Sequence, residues 1–301
     1  MCNINILIRK KLKHNIKPFI HSVTSNSFIN NNNGEGVYCD YENKVLKSSS
    51  KIDYTKIDNI DKSKIVLTHQ RYTTSGYGDE NIQPFNNNNF VMVHNGVLNH
   101  LLKDDKNSVL SDTAILFEKF NKLFEQKKTD IKNRKNVIVD IIKELFNDDY
   151  GTYSIFIYDK VTNKGYYFKD NSTRMNIYKV NGEYLYFSTN KDNQIFLNLL
   201  NKNDKEFKEN KIIDYDITNR AIYEIDIKTL SLLIIGELKS NIKYYNNYHS
   251  FKSYNKKKKK KKDKYKKCYV YDNNNNRMDF DEYEQYLEFE KNQLNRNIKY
   301  Y

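Results

Sequence analysis

The sequence predicts an α+β domain built in layers, and two observations lead to this fold class. Many short runs rich in β-branched and aromatic residues are separated by turn residues, as in antiparallel sheets. Only a few helical stretches lie between them, without the regular strand–helix alternation of a parallel sheet. A chain of 301 residues is long enough to bury a sizeable core.

Eight segments have the composition of β-strands. Each is bounded by turn residues and holds Val, Ile, Tyr or Phe at closely spaced positions. The predicted strands are residues 5–8, 65–69, 90–94, 153–158, 165–168, 184–188, 221–227 and 230–235.

Three segments have helical periodicity. The first begins at Ser111, a predicted N-cap, and places Leu116, Phe120 and Phe124 on one face. The second covers residues 136–146 and the third residues 192–200. Helices between antiparallel strands favour a layered domain, which we expect to extend over residues 2–240.

The character of the chain changes after residue 240. Residues 241–278 are rich in Lys and Asn and predict a low-complexity linker. An unbroken run of lysines begins at Lys256 and ends at Lys262, and such a block repels itself. Residues 279–301 are acidic first and basic last, an order that suits a helix dipole, and they predict a C-terminal helix.

Charge and composition exclude several classes of function. The net charge of +13 is concentrated in residues 243–301, which hold 16 Lys and Arg against 8 Asp and Glu. Nucleic-acid binding is therefore not expected, except weakly through the lysine run. No apolar stretch approaches the length that spans a membrane, and the sequence predicts a soluble, cytoplasmic protein.

Cysteine and histidine spacing predicts neither a metal nor a cofactor. Cys2, Cys39 and Cys268 lie far apart, without the C-x-x-C spacing of zinc or redox sites. The six histidines also lack metal-ligand spacing. His69 and His94 lie at the ends of predicted strands, where we expect them to form local hydrogen bonds.

Cys2 directly follows the initiator methionine. Removal of Met1 would leave a thiol and a free α-amine on one residue, and an α-amine titrates at about pH 7.7–8.0. Such an amine can take the thiol proton, so that one residue serves as nucleophile and base. Many proteins begin Met-Cys without such chemistry, so the meaning of Cys2 depends on the residues downstream.

Four downstream segments are informative together. They are Thr-His-Gln-Arg-Tyr-Thr-Thr-Ser-Gly at 68–76, Gln-Pro-Phe at 83–85, Val-His-Asn-Gly at 93–96 and Ser-Asp-Thr at 111–113. Separately each has an ordinary structural explanation, such as a tight turn at Asn-Gly or an acidic first turn of a helix. In this order they resemble the class II glutamine amidotransferases, and most of all the glutaminase domain of amidophosphoribosyltransferase.

The resemblance implies the fold of the N-terminal-nucleophile (Ntn) hydrolases. That fold is a four-layer αββα sandwich of two antiparallel sheets flanked by helices. It also implies that Cys2 attacks the side-chain amide of glutamine, that ammonia leaves, and that water hydrolyses the γ-glutamyl thioester.

The residue types suit this chemistry. Arg71 offers a planar, permanently charged fork for the substrate carboxylate, and the resemblance adds Thr74 to this clamp. Asn95 and Gly96 offer N–H donors for an oxyanion hole. Asp112 offers the charge that the substrate ammonium needs.

Two features depart from the family pattern. Asn3 stands where the family has glycine, and asparagine adopts unusual backbone angles less freely. The residues after 240 are too few for the synthase domain that such glutaminases are fused to. Either a separate synthase subunit accepts the ammonia, or the protein is a free-standing amide hydrolase.

Two alternatives to a glutaminase stay open. One is a non-catalytic binding or regulatory protein that keeps the fold and uses its basic tail. The other is an Ntn hydrolase that acts on another γ-glutamyl amide.

Overall fold

A computed structural model describes residues 2–12, 15–28, 31–102, 109–127, 130–147, 151–190, 212–239, 269–271 and 277–279. The chain divides into two compact units, Met1–Asn241 and Ile242–Tyr301. The first unit contains two sheets, and every strand pair in them is antiparallel.

The first sheet has seven strands. In chain order they are β1 (Asn3–Arg9), β2 (Glu35–Cys39), β3 (Lys44–Ser48), β4 (Ile65–Gln70), β9 (Asn176–Val180), β10 (Tyr184–Ser188) and β11 (Ile212–Asp214). Their order across the sheet is β11-β9-β10-β1-β4-β2-β3, which places β1 at the centre. The residue after Cys2 therefore enters the central strand of the sheet, where it pairs with Gln70 of β4.

The second sheet has six strands. They are β5 (Phe85–Asn86), β6 (Phe90–Val97), β7 (Thr152–Asp159), β8 (Lys164–Lys169), β12 (Ala221–Asp226) and β13 (Ser231–Glu237), in the order β13-β12-β8-β7-β6-β5. All eight strands predicted from the sequence are present in the two sheets.

The described part of the first unit contains four helices: α1 (Lys17–Phe28), α2 (Asn99–Leu102), α3 (Asp112–Gln126) and α4 (Arg134–Phe146). Short 3₁₀ turns lie at Tyr54–Lys56, Ile60–Lys62 and Asp79–Asn81. Ser111 caps α3, as predicted, because its side chain accepts a hydrogen bond from the N–H of Ala114.

Strand alternation divides the core into three layers. Ile4, Ile6 and Ile8 of β1 face the second sheet, so their side chains pack between the sheets. Leu7 faces the other way and packs under Phe19 and Ile20 of α1. The outer face of the second sheet is covered by α3 and α4. The order is therefore helix, sheet, sheet, helix, and the predicted αββα sandwich is confirmed.

The second unit contains one described hairpin. Strand β14 (Tyr269–Tyr271) pairs with β15 (Arg277–Asp279), so strands occur within the segment interpreted from sequence as a linker. Tyr-Val-Tyr has high β-propensity, which the Asn-rich surroundings obscured. Asp279 ends a strand rather than starting a helix. The helices predicted at 192–200 and over the rest of 279–301 lie outside the described residues.

Candidate active site

Cys2 lies at the entrance to β1, beside Tyr72 in the loop that follows β4. Asn3 pairs with Gln70 in the sheet, and this register brings Tyr72 next to Cys2. The Tyr72 N–H donates to Cys2 Sγ over 3.3 Å, and the thiol lies 3.4 Å from the Tyr72 carbonyl oxygen. The strand pairing thus fixes the position of the sulfur relative to the 68–76 motif.

The thiol is held in an environment that disfavours the thiolate. Burial raises the pKa of Cys2 above its ordinary value, and the Asp112 charge acts in the same direction. The Tyr72 N–H and the Arg71 charge act in the opposite direction. A local base is therefore needed if this sulfur is to react at neutral pH.

A cavity of about 20 Å³ adjoins Cys2, which is room for one or two water molecules. Five of the six site residues proposed from sequence line it: Cys2, Arg71, Thr74, Gly96 and Asp112. The other lining residues are Tyr72, Ser75, Asn81, Gln83, His94, Ser111 and Thr113. All four sequence motifs thus meet at one point next to the cysteine.

Arg71 is buried and already binds the loop that follows it. Its Nη2 donates to the carbonyl oxygens of Ser75 at 2.9 Å and Gly76 at 2.8 Å, and its Nη1 donates to that of Gly78 at 3.3 Å. A guanidinium has five N–H donors, so two remain for a ligand. Arg71 therefore shapes the loop as well as offering charge, a structural role that the sequence alone did not indicate.

The end of β6 has an unusual backbone. Gly96 has a φ of +146°, and a Cβ there would lie 1.9 Å from the Thr152 carbonyl oxygen. Only glycine fits this position. Asn95 is buried one residue earlier, and its Oδ1 has no hydrogen-bond partner among the described residues. Asn95 lies outside the lining of the small cavity.

Asp112 occupies the first turn of α3. Its Oδ2 accepts a hydrogen bond from the Leu98 N–H at 2.8 Å, and its Oδ1 accepts one from the Thr113 N–H at 2.8 Å. The Ser75 hydroxyl lies 3.4 Å from the same Oδ1. No Lys or Arg in the described part of the chain forms an ion pair with Asp112. The carboxylate is thus held by two main-chain N–H groups, from Leu98 and Thr113.

Three motif residues form a framework behind the cavity. Gln83 hydrogen-bonds both main-chain groups of His94, and its Nε2 also lies 3.3 Å from the Thr113 hydroxyl. The His94 Nδ1 lies 2.9 Å from the same hydroxyl. The framework joins β6 to the start of α3. Sequence reasoning gave Gln83 and Thr113 no role, although their place within the motifs was a signal.

His69 differs from its sequence expectation. Both of its ring nitrogens are buried and lack a hydrogen-bond partner within the described ranges, so the expected local hydrogen bond is wrong. Burial lowers the pKa of His69 to about 3, with the His94 and Arg71 charges acting in the same direction. The ring is neutral at physiological pH.

Asn3 has ordinary strand geometry. It is absent from the residues with positive φ, so its backbone does not require glycine. Its Nδ2 donates to the Ser27 hydroxyl of α1, and its Oδ1 accepts from the Thr189 hydroxyl after β10. The side chain that departs from the family pattern therefore ties β1 to two neighbouring segments.

Among the described residues, no group of three or more His, Cys, Asp or Glu side chains is placed to hold a metal ion. None of the described helices has the length and apolar character needed to cross a membrane.

Solved structures with a similar fold include a glutamine amidotransferase. Glutamine phosphoribosylpyrophosphate amidotransferase from B. subtilis, solved with ADP and GMP, matches with a TM-score of 0.51 and 16% identity, over 78% of this chain and 49% of that one. A structure described as the allosteric regulatory enzyme of purine biosynthesis matches with a TM-score of 0.52 at the same identity and coverage. A predicted glutamine amidotransferase from Pseudomonas aeruginosa PA01 gives 0.41 and 10% identity, over 77% of this chain and 94% of that one.

The similarity lies in the fold. No family model matches the sequence, and no curated protein matches it. The chain spans about half the length of the first two solved proteins. It shares the two-sheet layered fold of those two solved proteins, and this agrees with the αββα sandwich that the sequence motifs predicted.

Proposed function

We propose that the protein is a glutaminase that uses Cys2 as an N-terminal nucleophile. The observation that carries this proposal is the convergence of Cys2, Arg71, Thr74, Gly96 and Asp112 on one small cavity. These residues come from distant parts of the chain, and together they offer a nucleophile, a carboxylate clamp, an oxyanion donor and an ammonium anchor.

Removal of Met1 starts the proposed mechanism by freeing the α-amine of Cys2. The amine takes the thiol proton, and Sγ attacks the side-chain amide carbon of glutamine. The Gly96 N–H and the Asn95 side-chain NH₂ stabilise the oxyanion. The C–N bond then breaks, the Cys2 ammonium gives its proton to the leaving nitrogen, and ammonia departs.

The second half of the mechanism hydrolyses the γ-glutamyl thioester. The α-amine takes a proton from water, which attacks the thioester carbon. The C–S bond breaks, the sulfur recovers its proton, and glutamate is released. The released ammonia then goes to an acceptor or to a partner synthase.

Glutamine needs more room than the small cavity provides. Tyr72 and Thr74 are exposed in the loop on one side of it, whereas His94 and Thr113 are buried on the other side. We therefore expect the substrate to enter by displacing the 72–75 loop. Arg71 would then release its hydrogen bonds to the loop carbonyl oxygens and donate to the substrate carboxylate instead.

The proposal is tested by incubating the Met1-processed protein with L-glutamine and measuring glutamate and ammonia. We expect equal amounts of both products, none from Cys2→Ala, and normal turnover from Cys39→Ala. Cys39 is a matched control because it is a buried free thiol whose pKa burial raises to about 12. If the processed protein releases no glutamate, a non-catalytic binding protein or an enzyme for another γ-glutamyl amide becomes the better account.

A further inference from the structure

A second, larger cavity lies in the connection between β8 and β9. Its volume is about 710 Å³, within the range of sites for small molecules. One wall is the connection with its two flanking strand ends, including Lys169, Arg174 and Asn176. The opposite wall is the segment before β12, including Tyr215 and Asp216. None of these residues belongs to the proposed glutamine site.

The strand register places this cavity at the same end of the sandwich as Cys2. In the first sheet, Asn5 of β1 pairs with Ser188, which pairs with Asn176 in the cavity wall. In the second sheet, Asn95 pairs with Ser154, which pairs with Lys169. Asn176 is therefore two strand spacings, about 10 Å, from β1, the strand that follows Cys2, and Lys169 is equally far from β6, which carries Asn95 and Gly96.

Residues 188–190 connect the two sites physically. The Thr189 hydroxyl donates to Asn3 Oδ1, beside the nucleophile. The Asn176 side chain donates to the carbonyl oxygens of Ser188 and Asn190, each over 3.1 Å. The neighbour of Cys2 and a wall residue of the larger cavity therefore bind the same short segment.

Lys169 gives this cavity its chemical character. The residue is only 8% exposed, and its ammonium donates to the carbonyl oxygens of Asp170 and Thr173, each over 2.9 Å. No carboxylate in the described part of the chain forms an ion pair with it. A buried ammonium has a third donor and a charge that favour an anionic partner.

The other charges of the wall leave a positive balance. Arg174 is exposed and has no ion pair or hydrogen bond with any described residue. The wall contains one carboxylate, that of the exposed Asp216. The neighbouring Asp170 accepts hydrogen bonds from the N–H groups of Ser172 and Thr173, so its carboxylate is held within its own turn. Among the lining side chains, two cations thus oppose one carboxylate, while the Asp170 charge acts on Lys169 from outside the lining.

We propose that this cavity is a second ligand site, which binds a small molecule carrying a phosphate or carboxylate group through Lys169 and Arg174. The ligand would lie about 10 Å from β6, which carries Asn95 and Gly96, and from β1, which follows Cys2. The binding claim does not depend on the glutaminase activity of Cys2.

The test is calorimetric titration of the full chain with pyrophosphate and, separately, with malonate at constant ionic strength. We expect saturable binding of at least one probe. The probe that binds more tightly shows whether the site prefers a phosphate or a carboxylate group. Lys169→Met and Arg174→Gln should each weaken binding about tenfold, because each removes a charge-assisted contact. Lys228→Gln, at an exposed turn between β12 and β13, should bind normally.

Arg174→Gln keeps the test decisive if Lys169→Met fails to fold, since Arg174 is exposed. Cys2→Ser should bind the probe normally, which separates this site from the proposed glutaminase site. Absence of saturable binding would overturn the proposal. Binding of unchanged strength in Arg174→Gln and folded Lys169→Met would also overturn it, because the anion would then be held elsewhere, for example by the lysine run.

Discussion

The side-chain amide of Gln83 forms with His94 the two hydrogen bonds that a neighbouring strand would form. Its Oε1 accepts from the His94 N–H over 2.6 Å, and its Nε2 donates to the His94 carbonyl oxygen over 3.2 Å. The next two residues of β6 are Asn95 and Gly96. Gln83 therefore fixes the backbone on which the proposed oxyanion hole depends.

Replacing Gln83 by Met is expected to lower both stability and turnover. The substitution keeps the volume but leaves two buried main-chain groups of His94 without partners, so the free energy of unfolding should fall by about 2–4 kcal/mol. Urea unfolding and the kcat for glutamine hydrolysis measure the two effects. Gln126→Met, at the exposed end of α3, is the control and should change neither quantity. Unchanged turnover in Gln83→Met would remove Gln83 from the framework of the site.

Replacing Gly96 by Ala is expected to damage the site by steric contact. The added Cβ would lie 1.9 Å from the Thr152 carbonyl oxygen, so β6 and β7 must separate. Gly182→Ala is a matched control, since Gly182 also has a positive φ of +67° but has no atom within 4 Å of its Cβ position. We expect the control to lose about 1 kcal/mol of unfolding free energy from backbone strain alone. Gly96→Ala should lose more unfolding free energy than Gly182→Ala, and it should also lose turnover. Equal losses of unfolding free energy in the two variants would contradict the steric account.

Restoring the family residue by Asn3→Gly is expected to impair the protein. Asn3 has strand geometry and hydrogen-bonds Ser27 and Thr189, so glycine removes two buried contacts. The free energy of unfolding should fall by about 2–3 kcal/mol from these bonds and the added chain entropy. Asn3→Ala removes the bonds without the full entropy effect and should lose slightly less. If Asn3→Gly is as stable as the parent or more active, Asn3 is a tolerated substitution without a structural role.

Glu35 is expected to make stability depend on pH. Burial raises the pKa of this carboxyl, although the Ile52 N–H and the Gln70 amide donate to it at 2.7 and 2.9 Å. Because the folded pKa is the higher one, the proton stabilises the fold. This contribution is complete below the unfolded pKa of about 4.3 and is lost as the pH rises through the folded pKa.

The unfolding free energy of the parent protein should therefore fall as the pH rises from 4 to 7, and Glu35→Gln should make this fall smaller. Urea unfolding at both pH values measures the difference, and Glu42→Gln, at an exposed position, is the control. Parallel pH profiles for the parent and Glu35→Gln would show that the buried carboxyl is solvated in the folded protein.

The sequence predicted the central strands because their residues are both buried and β-branched or aromatic. It missed β2, where Glu35 and Gly36 interrupt the apolar pattern, and β3, whose lysines are largely exposed. It also missed α1, which is rich in Ser, Thr and Asn and depends on packing against the first sheet. Local composition does not contain the tertiary contacts that stabilise these elements.

Some features of the candidate site could likewise be predicted from the sequence and others could not. Motif order predicted that Cys2, Arg71 and Asp112 lie together, since each residue type has a chemical reason to be there. The hydrogen bonds of Arg71 to its own loop could not be predicted. The same holds for the His69 ring, which lacks a hydrogen-bond partner among the described residues. Both depend on how the two sheets meet, which the sequence patterns do not specify.

The most direct test of the central claim is mass spectrometry of the native protein after reaction with a glutamine-like electrophile. We predict loss of Met1 and a single adduct on the peptide that begins at Cys2, formed at neutral pH and prevented by excess glutamine. Cys39 should stay unlabelled because burial raises the pKa of its thiol to about 12. Retention of Met1 in the native protein, or labelling that spares Cys2, would contradict the account.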